Sequence, residues 1–293
     1  MQKHTVAVSA EWIQWVTENL KRGCDQQTLV ATMVNANIDP IVAGITVLQI
    51  MGQQKGLFPA YAPLAQPDAP NAQDYRYETP RFPMDRNFIR TYDKTVRVVM
   101  RSQQPVIAVV DDLLSLHECD ELIALSKEKL KQSTIVDPLS GEIKPDVDRY
   151  SHGAVFSLGE NPFIERLDRR IAELMHWPIE HGEGLQTVNY QIGGEYKPHF
   201  DYFPPHQDGN KLHVEQHGQR VSTLVIYLND VEEGGETIFP ELHLSVVPKR
   251  GSAVYFEYAN SMGQLDTRSL HAGAPVRSGN KWIATKFMRN KRY

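Results

Sequence analysis

The chain has 293 residues, of which 41% are hydrophobic, so it is long enough to bury a sizeable core and to form more than one domain. Its net charge is -5 at pH 7, and a nucleic-acid partner is not expected because such proteins need a basic surface to neutralise phosphates. No apolar run approaches the roughly 18 to 20 residues that a membrane-spanning helix requires, so a membrane partner is not expected either.

The two cysteines, Cys24 and Cys119, lie far apart and lack the spacing of a zinc or redox motif, which is typical of proteins from a reducing compartment. A secretory signal is not expected, because Glu11, Glu18 and Lys21 interrupt the apolar residues near the beginning of the sequence. We therefore expect a cytoplasmic protein. These features make no prediction about its oligomeric state.

Residues 1–55 are predicted to form an N-terminal domain built as a small bundle of three short helices. The stretch "AEWIQWVTENLKRG" has apolar residues at helical spacing and ends at Gly23. The next helix, in "DQQTLVATMVNANIDP", follows Asp25 as its N-cap, and the third, in "PIVAGITVLQIMG", begins at Pro40. Such a bundle serves packing or partner contact more often than chemistry.

Residues 56–84 are predicted to be an extended linker, because proline lacks the amide donor that helices and central strands require. The prolines in this segment are Pro59, Pro63, Pro67, Pro70, Pro80 and Pro83. Four aromatic residues indicate that part of the segment packs along a neighbouring domain instead of being fully solvated. They are Tyr61, Tyr75, Tyr77 and Phe82.

Residues 85–293 combine helices with strands and are predicted to form the main domain, of the α+β class. A strand, "PVIAVVDDLL", precedes a helix in which Ser115 is the predicted N-cap and Glu118 stands at capping-box spacing. A second amphipathic helix is predicted in "NPFIERLDRRIAELMHW". From about residue 185 to 293, six short strand-like runs separated by glycines predict a double-stranded β-helix, or jelly roll, flanked by these helices.

The residues that suggest chemistry begin in "EYKPHFDYFPP", where His199 and Asp201 would project from the same face of a strand. Such a pair can be an ordinary surface pair. His271 follows 72 residues later (271 minus 199) and Lys281 ten residues after that, and together they make the pattern specific. Three further histidines lie in a stretch without hydrophobic periodicity and are predicted to be solvated loop residues and not ligands: His206, His213 and His217.

Two imidazoles and one carboxylate are the ligand set of non-haem ferrous oxygenases, which leaves the opposite face of the ion open. A bidentate 2-oxo acid and O2 both need that face, and a closed four-ligand zinc site has no room for them. A lysine at the rim could pair with the distal carboxylate of the acid. The residues alone also leave open a non-catalytic metal-binding interaction module and a cupin-like metal enzyme that uses no 2-oxo acid.

From about residue 106 to the C-terminus, the sequence resembles the prolyl 4-hydroxylase family of Fe(II)- and 2-oxoglutarate-dependent dioxygenases. The matching stretches are "LQTVNYQIGGEYKPHFDY", "RVSTLVIYLNDVEEGGETIFPE", "VVPKRGSAVYFEY" and "TRSLHAGAPVRSGNKWIATKFMR". The resemblance does not reach residues 1–84. It implies hydroxylation of prolyl residues in a peptide or protein, with release of succinate and CO2. It also implies Fe(II) as cofactor, 2-oxoglutarate and O2 as co-substrates, and ascorbate as a stimulant.

The resemblance implies a role for each matching residue. The residues implied to bind Fe(II) are His199, Asp201 and His271. The residues implied to hold 2-oxoglutarate are Tyr190, Thr223 and Lys281, although ordinary sheet packing would also explain the first two. The residues implied to lie near the substrate are Tyr196, beside the target proline ring, and Arg149, beside the peptide groove.

Two features bear on the substrate. Residues 202–219 occupy the position of a mobile lid in the family, and their Gly, Asn and His content suits a segment that orders around a peptide. Secreted collagen-type members carry a cysteine after the distal histidine, where this chain reads "HAGAPV", so collagen is not the expected substrate. A free amino acid or another side chain is the alternative target. Residues predicted to line the barrel are Val225, Tyr227, Val254 and Phe256.

Overall fold

The computed structural model describes residues 10–36, 38, 40–54, 75–132, 134–136, 143–145, 151–205 and 208–293. The chain divides into two compact units, residues 1–67 and 68–293, each with its own hydrophobic core. The domain boundaries predicted at residues 55 and 84 stay predictions, and most of the predicted linker lies outside the described residues. Within the described ranges, no helix combines the length and apolar character needed to span a bilayer.

The described residues of the first unit form three helices, α1 (Ala10–Lys21), α2 (Gln26–Asn35) and α3 (Pro40–Gln54). The predicted N-cap of α2 is confirmed, because the Asp25 carboxylate accepts a hydrogen bond from the Thr28 amide at 2.9 Å. Apolar side chains from all three helices share one buried cluster, which stabilises helices that would be marginal in isolation. Its members are Val16, Leu29, Met33, Ala43, Val47 and Ile50.

In the part of the second unit that the structure describes, three α-helices accompany many short strands. Its helices are α4 (Leu116–Lys127), α5 (Pro162–Met175) and α6 (Asp208–His217). Its first eight strands are β1 (Phe88–Arg90), β2 (Thr95–Gln103), β3 (Val106–Asp111), β4 (Lys131–Gln132), β5 (Thr134–Val136), β6 (Ile143–Pro145), β7 (His152–Phe156) and β8 (Leu185–Tyr190). The others are β9 (Tyr196–His199), β10 (Arg220–Tyr227), β11 (Glu233–Gly234), β12 (Thr237–Phe239), β13 (Leu244–Val246), β14 (Ala253–Glu257), β15 (His271–Gly273), β16 (Val276–Ser278) and β17 (Lys281–Arg289).

The strands form two larger antiparallel sheets. The major sheet has nine strands in the order β1-β2-β3-β14-β10-β17-β8-β7-β4, and the minor sheet has four in the order β13-β12-β15-β9. Two further pairs, β5–β6 and β11–β16, stand apart as two-stranded ribbons. Each of the six predicted strand-like runs contains a strand. Most strands of two to four residues are too short to show a detectable alternation of apolar and polar side chains.

The two faces of the major sheet bury different cores. On β10, Leu224 and Ile226 join a cluster that includes residues of α4 and α5, which we call the helix-side core. Val225 and Tyr227 alternate with them and join a second cluster that includes Phe239 of the minor sheet, the inter-sheet core. The four residues predicted to line the barrel, Val225, Tyr227, Val254 and Phe256, all belong to the inter-sheet core.

Capping chemistry fixes the beginning of both helices on the helix-side core. At α4 the predicted capping box is confirmed, because the Glu118 amide donates to the Ser115 hydroxyl and the Ser115 amide donates to the Glu118 carboxylate. At α5 the Asn161 side chain accepts from two amides of the first turn, and Pro162 occupies the first helical position. Both caps are formed between residues two or three positions apart, and the one at α4 was predicted from the sequence.

The prediction of a solvated loop for the histidine-rich stretch is wrong for most of its length, because α6 forms there. His213 accepts a hydrogen bond from Arg289 at 2.8 Å, and its ring lies 5.0 Å from the ring of His217. Gly218, at φ +77°, ends the helix, and its carbonyl oxygen accepts from Arg289 at 2.5 Å. The helix therefore depends on tertiary contacts that its weak periodicity does not reveal. His206 lies outside the described residues.

Residues 75–82, which we call the strap, belong to the second unit and pack on its major sheet and on the segment that follows β14. The Phe82 side chain is 1% exposed and stacks on Tyr255 with the ring centroids 4.9 Å apart. The Tyr77 hydroxyl donates to the Asp266 carboxylate at 2.7 Å. These contacts confirm that aromatic residues of the proline-rich segment pack against a folded domain. Tyr61 lies outside the described residues.

Candidate functional site

Two neighbouring strands of the minor sheet place two histidines side by side. His199 ends β9, His271 begins β15, and these two residues are directly paired in the antiparallel register. Asp201 follows β9, and its carboxylate oxygens lie 3.5 Å from the Nε2 atoms of both imidazoles. Potential ligand atoms of all three residues lie within 4.8 Å of one another. The predicted ligands therefore converge.

Backbone carbonyl groups select the tautomer of both histidines. Nδ1 of His199 lies 2.7 Å from the carbonyl oxygen of Lys197, and Nδ1 of His271 lies 3.0 Å from that of Ser269. A carbonyl oxygen can only accept, so each Nδ1 carries the proton and donates it. Each Nε2 then presents a lone pair towards Asp201, which is the arrangement that a metal-binding imidazole requires.

The protonation states of the cluster also suit a metal. Burial lowers the pKa of His271 to about 4, so its imidazole is neutral at pH 7. Burial alone would raise the pKa of Asp201, but His271, His199 and Arg220 together hold it well below its ordinary value. Its carboxylate is therefore ionised. Two imidazoles and one carboxylate are the donor set of the ferrous facial triad, so these residues fit Fe(II).

A chain of hydroxyl groups orients the Asp201 carboxylate. The Thr223 hydroxyl, on β10, donates to Oδ2 of Asp201 at 2.7 Å and lies 2.9 Å from the Tyr258 hydroxyl. Because an ionised carboxylate can only accept, the Thr223 proton points to Asp201, and Tyr258 must donate to Thr223. Thr223 was predicted to hold 2-oxoglutarate, and its observed contact is with the metal ligand. The predicted co-substrate contact stays a prediction.

Sequence reasoning missed a buried charge network beside the site. Arg220 donates to both carboxylate oxygens of Glu183, at 2.6 and 2.9 Å, and to the backbone carbonyl of Asp201 at 3.3 Å. Arg289 donates to Glu183 at 2.8 Å and also contacts α6 through Gly218. The network thus connects a metal ligand to α6. The signal that could have found it is the presence of Arg220 and Arg289 at the ends of two strands rich in apolar residues.

Lys281 and Tyr190 lie together at the ends of two neighbouring strands. They are paired in register on β17 and β8, and the Lys281 ammonium lies 5.6 Å from the Tyr190 ring centroid. Lys281 is only 3% exposed. The Lys281 ammonium lies beside Gly273 of β15, the strand that carries His271. Its Nζ atom would be 3.8 Å from a Cβ atom built on this glycine. The structure therefore brings Lys281 close to the ligand cluster.

The two residues predicted near the substrate have different outcomes. The Tyr196 ring stacks on the His199 imidazole, with the centroids 3.6 Å apart and the planes at 26°. Tyr196 thus belongs to the site, whereas its contact with a proline ring stays a prediction. Arg149 lies outside the described residues.

Comparisons with known proteins agree with this geometry. A family model described as the 2OG-Fe(II) oxygenase superfamily matches residues 185–289, which include all three ligands and Lys281. A probable prolyl 4-hydroxylase 3 of Arabidopsis thaliana is 38% identical over 206 residues, covering 64% of this chain and 70% of the relative. This chain belongs to the prolyl 4-hydroxylase family.

Two further prolyl hydroxylases are similar over nearly the same share of this chain. The human prolyl 4-hydroxylase subunit alpha-1 is 35% identical over 188 residues, covering 64% of this chain and 35% of that subunit. A solved structure of a viral collagen prolyl hydroxylase from Paramecium bursaria Chlorella virus-1, in complex with 2OG, is 30% identical. It covers 62% of this chain and 95% of its own, with a TM-score of 0.48.

Membership of the prolyl 4-hydroxylase family makes this chain an oxidoreductase of the 2-oxoglutarate- and Fe(II)-dependent type. The family implies Fe(II), 2-oxoglutarate and O2, and the converging cluster of two histidines and one aspartate has the composition that Fe(II) requires.

Proposed function

We propose that this protein hydroxylates prolyl residues in a peptide or protein, using O2 and 2-oxoglutarate and releasing succinate and CO2. The observation that carries the proposal is the convergence of His199, Asp201 and His271, with Lys281 beside the strand that bears His271. The similar relatives are prolyl 4-hydroxylases, which supports proline as the target residue.

Three protein groups would hold the metal, and each is fixed before any metal binds. The carbonyl groups of Lys197 and Ser269 keep the lone pairs of the two imidazoles directed into the cluster, and Thr223 holds the carboxylate. Fe(II) in this position would activate O2 while 2-oxoglutarate is decarboxylated, which supplies the oxidant for hydroxylating a C–H bond.

Lys281 is proposed to bind the distal carboxylate of 2-oxoglutarate. Its buried ammonium is a strong point charge in surroundings of low dielectric constant, so a carboxylate there would gain a charge-assisted hydrogen bond. Tyr190 and Thr223 are proposed to contact the same co-substrate through their hydroxyl groups. Phe256 and Val254 of the inter-sheet core would exclude water from that side of the site.

The substrate side is proposed to include Tyr196, Arg149 and the segment that contains α6. Tyr196 stacks on the metal ligand His199, so a bound proline ring beside it would lie close to the metal. The Gln219 side chain accepts from the Phe203 amide at 2.8 Å and donates to the Phe203 carbonyl at 2.7 Å, which joins the two ends of the segment. A peptide would then meet a segment whose ends are fixed.

We also propose a jelly roll for the two packed sheets and a helical bundle for the first unit. The antiparallel order of the sheets and the inter-sheet core support the jelly roll, and the shared core of α1, α2 and α3 supports the bundle.

Ascorbate is proposed to stimulate turnover by returning iron to the ferrous state. A reducing, cytoplasmic location is proposed, and the free thiols of Cys24 and Cys119 support it.

The test is to treat proline-containing proteins from a lysate with the full chain, Fe(II), ascorbate, 2-oxoglutarate and O2 enriched in the heavy oxygen isotope. We expect mass spectrometry to find one heavy oxygen atom added to prolyl residues, with succinate formed only when substrate is present. The Asp201→Ala variant should lose both signals. The control, Asp85→Ala, changes a carboxylate that is 80% exposed and should keep both.

Three outcomes would contradict the proposal. Turnover by Asp201→Ala equal to that of the wild type would exclude the assigned metal centre. Heavy oxygen found only on another residue type, or only on a free amino acid, would exclude the prolyl target. Metal binding without any consumption of 2-oxoglutarate would favour a binding module or a cupin-like enzyme.

A further inference from the structure

The strap is bound to the segment that leads from β14 to the metal ligand His271. It contacts this segment through backbone and side-chain hydrogen bonds spread along residues 257–266. These bonds join Arg76 to Gln264 and Asn260, Glu78 to Ser261, and Arg81 and Phe82 to Glu257. The segment that the strap restrains lies within residues 185–289, the range that the family model matches. The strap itself lies outside that range.

The strap also reaches the residues just before His271 through Tyr77, whose hydroxyl contacts Asp266 and lies 3.5 Å from a guanidinium nitrogen of Arg268. The Tyr77 hydroxyl donates to Oδ2 of Asp266 at 2.7 Å, and Asp266 is only 1% exposed. Because Asp266 is buried, water does not readily replace this donor, which makes the bond more valuable than one at the surface. The two residues are 189 positions apart in the chain.

Asp266 in turn shapes the turn that precedes His271. Its other carboxylate oxygen accepts from the Arg268 amide at 2.9 Å, and its carbonyl oxygen accepts from the Ser269 amide and hydroxyl at 3.1 and 2.7 Å. The Ser269 carbonyl is the group that accepts the Nδ1 proton of His271. Asp266 therefore fixes the residue that selects the tautomer and orientation of a metal ligand.

The backbone of Asp266 is also connected to the second oriented ligand. The Asp266 amide donates to the carbonyl oxygen of Tyr258 at 2.8 Å, and the Tyr258 hydroxyl belongs to the hydroxyl chain that orients Asp201 through Thr223. Displacement of Asp266 would thus disturb the supports of both His271 and Asp201.

We infer that Tyr77 and Asp266 are positioning residues of the metal centre: the Tyr77 hydroxyl fixes Asp266, which holds the 267–269 turn that orients His271. This inference rests on the proposed metal centre. It assigns to the strap a part in metal binding, because the strap supplies a hydrogen bond that the sheets themselves do not supply.

The test measures Co(II) binding to the full, metal-free chain by calorimetry and by visible ligand-field absorption, without turnover. Tyr77→Phe keeps the ring and removes only the hydroxyl, and we expect it to weaken Co(II) binding by about threefold to tenfold. Partners that contact a ligand directly, as Ser269 does here, change affinity by about 10- to 100-fold, and Tyr77 acts two contacts further away, through Asp266. The ligand-field spectrum should change as well, because the His271 imidazole would be less restrained.

The matched control is Tyr75→Phe. Tyr75 lies in the same strap with its ring 4.9 Å from that of Tyr77, and its hydroxyl takes part in no hydrogen bond among the described residues. This variant should bind Co(II) with the affinity and spectrum of the wild type. Urea unfolding of both metal-free variants shows whether the substitutions change the fold.

A double-mutant cycle with Asp266→Ala tests the route from Tyr77 to His271. If Tyr77 acts through Asp266, removing its hydroxyl should have no further effect on Co(II) affinity in the Asp266→Ala background. Additive losses would overturn the inference, as would a Tyr77→Phe variant with unchanged affinity and spectrum, or an equal loss in Tyr75→Phe. Unchanged Co(II) binding by His271→Ala would instead contradict the proposed metal centre itself.

Discussion

At the scale of single residues, the Thr223 hydroxyl determines how the Asp201 carboxylate is held. It is the side chain that donates to Oδ2 at 2.7 Å, and it is completely buried. We predict that Thr223→Val will weaken Co(II) or Mn(II) binding in the absence of 2-oxoglutarate by about 10-fold, the lower end of the range for such partners. Calorimetry on the metal-free protein measures this effect.

Thr223→Ser is the matched control, because it keeps the hydroxyl and removes only a methyl group. It should retain most of the metal affinity. If valine and serine variants bind the metal equally well, the hydroxyl does not orient Asp201, and a contact with 2-oxoglutarate alone would have to explain the position of Thr223.

At the scale of elements, α6 is stabilised by a contact that depends on pH. Burial, helped by the positive charge of Arg289 and by His217, lowers the pKa of His213 to about 4, against the opposing charge of Glu183. Between the ordinary pKa of histidine and pH 4 the unfolded chain binds more protons than the folded chain, so stability is lost as the pH falls through this range. Protonated His213 can no longer accept from Arg289.

We predict that the urea midpoint will fall between pH 7 and pH 5 more steeply for the wild type than for His213→Gln. Glutamine offers Arg289 an acceptor oxygen that does not titrate, so it should remove this contribution. His271, whose pKa is also lowered, titrates in both proteins and does not affect their difference. Parallel pH profiles for the two proteins would show that His213 does not support α6.

At the scale of the whole molecule, one buried ion pair joins the helix-side core to the major sheet. Lys286 on β17 donates to Asp168 on α5 at 2.7 Å, and the two side chains are 1% and 2% exposed. Lys286→Met would leave the Asp168 charge buried without this partner, and we predict a loss of about 3 to 5 kcal/mol in the free energy of unfolding. Urea denaturation measures it.

Two variants serve as controls for this prediction. Arg86→Met removes an exposed ion pair with Asp85 at 3.9 Å and should change stability by less than about 1 kcal/mol. The double variant Asp168→Leu/Lys286→Met removes both buried charges and should recover a large part of the loss. A double variant as unstable as Lys286→Met alone would show that the unpaired charge is not the reason for the destabilisation.

Elements with local chemistry could be predicted from the sequence. Asp25, Ser115 and Glu118 marked the beginnings of α2 and α4, because a cap is formed between residues two or three positions apart. The helix α6 could not be predicted, because its residues show weak periodicity and its supports come from Arg289, more than 70 positions away. Of the minor sheet, β12 and β13 lie in predicted strand-like runs, whereas the short strands β9 and β15 lie outside those runs.

The metal site also has residues that could be predicted from the sequence and residues that could not. Its first two ligands stand two residues apart, and the spacing of His271 and Lys281 made the pattern specific before the resemblance of the flanking motifs to a known family was considered. The supports of these ligands, such as Tyr77, Glu183 and Arg220, gave no comparable signal.

By itself, the sequence determined which donor atoms are present: two imidazoles, one carboxylate and one lysine in recognisable motifs. Only the tertiary structure decided how they are held, because the tautomer of each histidine, the ionisation of Asp201 and the support of His271 depend on groups far away in the chain. Hydrogen bonds between such distant groups follow from packing and leave no local pattern.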